Sequence, residues 1–211
     1  MAVSIQDPPD NSSLQDIIRD ATRLSHSRID AAMNWVDLGR LTYYSGFLRG
    51  QAEALFPLET ALERAGIDDI LTDWPQRART PALEHDLSAL DIACDPLPVP
   101  TLNGAADMLG VVYVLEGTRM ASRVILPRLA DQPDSSILGA TAYLRHGFGR
   151  RFWPTFLSVL ENHPEARLHP ERVINGAQIA FGMFDSALIP VMSHAVDRTR
   201  SAIRLVHSER V

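Results

Sequence analysis

Cysteine is almost absent from this 211-residue chain, and Cys94 alone excludes an intramolecular disulfide or a thiolate metal cluster built from one copy. An apolar run of the roughly 20 residues needed to cross a bilayer is also missing, so no membrane span is expected. The polar stretch 1–13, with Pro8-Pro9, lacks the basic start and apolar centre of a secretory signal and is expected to be a flexible arm. Positive charge is in deficit: 20 basic against 26 acidic side chains leave a formal −6, which gives no general attraction to phosphate backbones. Nucleic acid is therefore not an expected partner. Cysteine scarcity fits a reducing compartment, and a cytoplasmic location is the expectation. Cys94 follows Leu90 and Ala93 in an apolar pattern without a basic neighbour, and reads as a buried, inert thiol.

Several motifs are missing too. No stretch alternates apolar and polar residues between hairpin turns, and no fixed-period repeat is visible. There is no Gly-x-Ser-x-Gly elbow and no phosphate loop, while Gly147-Phe148-Gly149 lacks the third glycine and leading strand of a dinucleotide site. A di-iron bundle needs Glu-x-x-His pairs on facing helices, and none of the seven histidines belongs to one. His163 and His169 lie around Pro164 in an expected loop, and His194 and His207 read as surface residues.

What the chain does have is helical periodicity. Leu14, Ile18, Ala21, Thr22, Ser25, Ile29, Ala32, Met33 and Val36 form one apolar arc, predicting a long amphipathic helix that ends near Asp37 to Gly39. Further helices are expected at about Leu41 to Leu55, at Pro57 to Ala65 with Pro57 in its first turn, and at Ala82 to Cys94. The Asp73 to Pro81 stretch reads as connection, and Pro96, Pro98 and Pro100 as an extended link. A long helix is predicted from about Asn103 to Leu129 with a bend near Gly117, then helices around Ala140 to Arg145, Phe152 to Glu161, and Pro170 to His194 or beyond. A single all-α domain over 14–211 is the expected fold.

Two segments carry chemistry. On the first helix His26 lies about 80° from the stripe centre set by Ile18, on a ridge shared with Arg19 and Asp30. A neutral imidazole can offer Nε2 to iron while a carboxylate at i+4 accepts from Nδ1–H, fixing the tautomer. Alone, His26 would be an ordinary polar residue at the rim of an apolar face. On the long later helix, Gly117 and Ala121 are small residues one turn apart, as a flat cofactor between two helices would need. The plainer alternative is close helix packing. Arg119 projects about 200° from Gly117 and should point away. Tyr113 and Glu116 stay ambiguous, an exposed helix charge being the safer reading of Glu116.

Arg19-Asp20-Ala21-Thr22, then His26, then Asp30, resembles the proximal-helix motif of heme oxygenases. Leu109-Gly110-Val111-Val112-Tyr113-Val114-Leu115-Glu116-Gly117 resembles the start of the distal helix in the bacterial branch of that family, whose members often accompany bacteriophytochromes. Weaker similarity continues through Tyr143-Leu144, Phe152-Trp153, and Glu171-Arg172 to Ala180-Phe181 and Phe184. The resemblance implies a single-domain heme-oxygenase-like helical bundle that cleaves heme at a meso carbon to biliverdin, carbon monoxide and ferrous iron, using O2. Electrons would come from a ferredoxin or a reductase, and a bacteriophytochrome would be a possible product acceptor. Heme would be substrate and cofactor, with iron on His26, Arg19 at a propionate, and Thr22, Asp30 and Phe181 in the cofactor site. Arg145, Arg150 and Arg151 are further propionate candidates, although Arg150-Arg151 reads equally as a solvated charge pair. Gly117, Thr118, Ala121 and Ser122 would form the distal wall. Ala121 and Ser122 stand where the family commonly has Gly-Gly, and Thr118 stands where bacterial relatives often carry Ser, a hydroxyl able to anchor water. The same departures favour the alternative of a heme- or bilin-binding sensor of this fold without turnover.

Overall fold

The computed structural model describes residues 13–34, 36–130 and 134–208, and side-chain surroundings no further than Val191. Among the described residues the chain is all-α, with no strand. The helices are α1 (Leu14–Asn34), α2 (Leu41–Arg64), α3 (Trp74–Arg77), α4 (Thr80–Ala89), α5 (Ala105–Ala130), α6 (Ser135–Gly139), α7 (Ala142–Arg145), α8 (Phe152–Asn162), α9 (Pro164–Leu168) and α10 (Pro170–Ser208). The expected arm falls almost wholly outside the described residues, as do part of the Asp131 to Ser136 turn and the side chains of His194 and His207.

Helix α1 buries Leu14, Ile18 and Thr22 but stops at Asn34, short of the expected Asp37 to Gly39 end. The two helices expected at 41–55 and 57–65 are one, because α2 runs straight through Pro57. Proline lacks the N–H that would bond the carbonyl four residues back, and in a helix interior this normally costs stability. Here the Glu53 carbonyl accepts instead from Leu97 N at 2.9 Å, so the extended proline link supplies the missing donor. Helix α4 ends at Ala89, well before Cys94, which lies half-buried in that link with its thiol pushed up by burial and by Glu53.

Carboxylates from distant helices satisfy the first N–H groups of others, a role normally taken by a local N-cap. Glu161 of α8 accepts from Leu14 N and Gln15 N at 3.0 and 2.9 Å. Glu59 of α2 takes Arg79 N and Thr80 N at the start of α4, and Asp86 of α4 takes Ala142 N and Tyr143 N at the start of α7. Each carboxylate sits at the positive end of a helix dipole and ties two elements together.

The long α10 is the axis on which α1, α2 and α5 pack. At the α5–α10 crossing the backbones touch through two glycines. A methyl on Gly110 would meet the Val173 carbonyl oxygen and come within 2.7 Å of Ala177 N, and one on Gly176 would fall on the backbone of Asp107.

Gly110→Ala or Gly176→Ala is therefore expected to lower unfolding free energy by about 3 kcal/mol or more, since backbone cannot yield as a side chain can. Gly117→Ala on the same helix meets nothing within 4 Å and should be neutral or slightly stabilising. Urea titration of the three variants checks this, and equal stabilities would contradict it.

Candidate functional site

Three ties fix α1: the Glu161 cap at its start, the burial of Ile18 and Thr22, and an ion pair from Arg28 to Asp185 of α10 at 3.2 Å. Between the last two lies His26. Its Nδ1 is 2.9 Å from Asp30 Oδ2, both side chains being mostly exposed at 66% and 60%. Beneath it Phe181 of α10, one turn before Asp185, presents its ring at 6.2 Å and 68° to the imidazole. With Nδ1 engaged, Nε2 is the nitrogen left for a ligand. Thr22 is turned inward, its hydroxyl donating to the Ile18 carbonyl at 2.7 Å. Arg19 remains 60% exposed and pairs with Asp16 at 2.7 Å.

On α5, Gly117, Met120, Ala121 and Val124 fall on one stripe. Met120 and Val124 are 41% and 57% exposed, Ala121 is exposed, and Gly117 has open space beside it. Tyr113 begins this stripe and has Arg19 and Asp16 as electrostatic neighbours, with its hydroxyl pushed up mainly by burial. The start of the stripe thus lies near the Arg19 end of α1, the helix on which His26 stands two turns further on. Ser122 does not join the stripe: it is buried, with its hydroxyl 3.4 Å from the Thr118 carbonyl. Thr118 also turns inward, donating to the Leu115 carbonyl and accepting from Arg79 Nη2, both at 2.8 Å.

Behind the stripe lies a polar core built on Arg77 and Arg79, which are 2% and 1% exposed. Arg77 pairs with Glu116 at 3.0 Å and Asp73 at 2.7 Å, and donates to the Phe152 carbonyl. Glu116 is 2% exposed, which overturns its reading as a surface charge. The reason is pairing: Arg119 also reaches it at 2.9 Å, so two guanidiniums offset its desolvation. Arg119 then donates to the Arg77 carbonyl and to His146, away from the Gly117 stripe. Arg79 donates to the Leu115 carbonyl and to the Tyr143 hydroxyl, which donates to Gln51 at 2.6 Å. Arg79 Nε is buried with no hydrogen-bond partner among the described residues, a donor that calls for a water.

The His26–Asp30 contact is the one the i, i+4 spacing predicts, and the structure adds Phe181 beside the imidazole. Sequence reasoning missed Arg77, Arg79, Gln51, Tyr143 and His146, for which no local spacing gives a signal. Arg145, Arg150 and Arg151 are exposed around the turn that Arg119 holds, on the α5 flank opposite Gly117. Among the described residues no group of three His, Cys, Asp or Glu side chains can hold a metal, and no helix is long and apolar enough to cross a membrane.

Compared with known proteins, the chain is similar to a heme oxygenase of Xanthomonas campestris pv. campestris (strain 8004), 28% identical over 146 residues that make up 69% of this chain and 88% of the relative. No family model and no solved structure matches.

His146 accepts from Arg119 Nη1 through Nδ1 at 2.7 Å, and burial together with Arg119 lowers its pKa from 6.5 to about 4. Between those values the unfolded chain binds the proton and the folded one does not, so stability is lost as pH falls through that window. Denaturant unfolding at about pH 7 and about pH 5 should show a smaller acid loss for His146→Gln, which still accepts from Arg119, than for wild type. Equal losses would contradict this assignment.

Proposed function

We propose that the protein is a heme oxygenase that holds heme between α1 and α5, with His26 Nε2 on the iron, and opens the macrocycle at a meso carbon to biliverdin, carbon monoxide and ferrous iron. The observation that carries this is an oriented, solvent-facing imidazole on α1 together with an exposed stripe on α5 that includes Gly117 and Ala121. The named relative supports the same reading. Bound heme would supply the O2-activating iron and the carbon skeleton that is cleaved.

The chain's own residues do the rest. Asp30 holds the Nδ1–H tautomer and raises the donor strength of Nε2. Phe181 limits ring rotation from below, and Arg28–Asp185 keeps that turn of α1 in place. Arg19, exposed near Tyr113 of α5, is placed for a propionate, to which it would turn from Asp16. Gly117 lets a planar ring approach the α5 backbone, and Ala121 adds only a methyl. Thr118 and Ser122 lie one layer behind that surface. With Arg79, Tyr143 and Gln51 they form a polar chain in which the unpartnered Arg79 Nε–H can hold ordered water near the distal face. Electrons come from a separate donor, and the resemblance to the bacteriophytochrome-associated branch supports a bilin photoreceptor as acceptor. A heme carrier without turnover is the second reading, favoured by the Ala121 methyl on the exposed stripe.

Hemin added to the full chain should give a sharp Soret band, strongly weakened in His26→Ala, with affinity reduced about 10- to 100-fold in Asp30→Asn. Under air with ascorbate or a ferredoxin system, the Soret band should give way to a biliverdin spectrum. Intact heme under those conditions identifies the carrier, and no Soret band at all rejects both.

A further inference from the structure

We infer that Asn103-Gly104, the step into α5, is a self-modifying site at which the Asn103 side chain closes onto the Gly104 nitrogen and ends as aspartate or isoaspartate. The reaction is independent of the function proposed above and needs no heme. Asparagine followed by glycine favours this ring closure, because glycine has no Cβ to obstruct the attack. The chain has two such pairs, Asn103-Gly104 and Asn175-Gly176. Their surroundings are opposite.

Asn103 and Gly104 are both exposed and stand just before α5, which begins at Ala105. Gly104 takes a φ of 109°, and beyond its chain neighbours a methyl placed on it would meet only Arg172 Nη2, at 4.0 Å. A five-membered ring therefore has room to form. Asn175-Gly176 lies inside α10, where each N–H donates to the carbonyl four residues earlier. Gly176 is also buried, with the Asp107 backbone against it. Ring closure there must wait for α10 to open locally.

A guanidinium activates the first pair. Arg172 Nη2 donates to the Asn103 carbonyl. That oxygen and the Gly104 N–H belong to one resonant peptide unit, so positive charge on the oxygen draws density from the nitrogen and eases loss of its proton. The deprotonated nitrogen attacks Asn103 Cγ. An N–Cγ bond forms, the Cγ–Nδ2 bond breaks, and ammonia leaves with the proton. Water then adds to either carbonyl of the imide ring. One product is aspartate, and the other is the isomer whose main chain runs through the former side chain. The sequence is redox-neutral and consumes only water.

The product disturbs the first turn of α5. Asn103 N donates to Asp107 Oδ2 at 2.8 Å, and Asp107 is 2% exposed, with Oδ1 buried and unpartnered among the described residues. Arg172 lies 3.6 Å from the same carboxylate. A new negative charge at position 103 repels Asp107 and competes for Arg172. In the isomer the main chain is lengthened, and the carbonyl that Arg172 holds becomes a side carboxylate. Asp107 is also the residue whose backbone rests on Gly176, so the loosening reaches the α5–α10 crossing.

The test is prolonged warm incubation of the full chain at mildly alkaline pH, followed by peptide mass mapping and an isoaspartate assay. Asn103 should convert about tenfold or more faster than Asn175 in the same sample, and Arg172→Met should slow it severalfold. Aged wild type should unfold at lower urea than fresh protein. Aged Asn103→Gln, which keeps the main-chain bonds to Asp107 and Arg172, should match its fresh counterpart. Conversion no faster than at Asn175, or an intact Asn103 under conditions that convert it in the urea-unfolded chain, overturns the site. Equal or faster conversion in Arg172→Met overturns the role given to Arg172, and an aged wild type as stable as the fresh one overturns the effect on α5.

Discussion

The backbone contact between α5 and α10 at Gly110 and Gly176 sets the geometry on which the site depends. Two helices that meet without Cβ atoms lie closer than side chains normally allow, and they cannot slide without collision. Helix α1 is held to α10 by side chains, among them the His26–Phe181 ring contact and the Arg28–Asp185 ion pair. Helices α1 and α5 thus pack on the same helix, with Tyr113 of α5 near Arg19 of α1. The proposed site lies between His26 on the one and Gly117 on the other.

Behind the α5 stripe, buried charge is added to apolar packing. Arg77 and Arg79 enter the core from a short connection and reach Glu116, Leu115, Thr118 and Tyr143. Breaking a buried pair of this kind costs far more than its net contribution, because the orphaned partner stays desolvated. The stripe is thus backed by a network with one preferred arrangement. That network also fixes His146 and the glycine turn, so Arg119 links α5 to the turn between α7 and α8.

The legible parts were those in which cause and effect are close in sequence. The His26–Asp30 bond follows from i, i+4 spacing, and the α1 stripe from its 3.6-residue period. Long helices at α5 and α10 were equally plain. Pro57 misled because the donor replacing its missing N–H, Leu97 N, is 40 residues away. Glu116 misled because its partner Arg77 comes from a segment read as mere connection, 39 residues earlier. The carboxylate caps from Glu59, Asp86 and Glu161 join elements far apart in the chain, so no local pattern announces them. Thr118 and Ser122 were placed on the right helix, and only the structure shows that their hydroxyls turn inward.

The central claim is that a porphyrin's iron is bound axially by the side chain of His26. Resonance Raman spectroscopy of the ferrous heme complex measures that bond directly. An iron–imidazole stretch should be present in wild type, absent in His26→Gly and restored when free imidazole is added to that variant. A stretch that survives the substitution, or a wild-type complex that lacks it, would contradict the account.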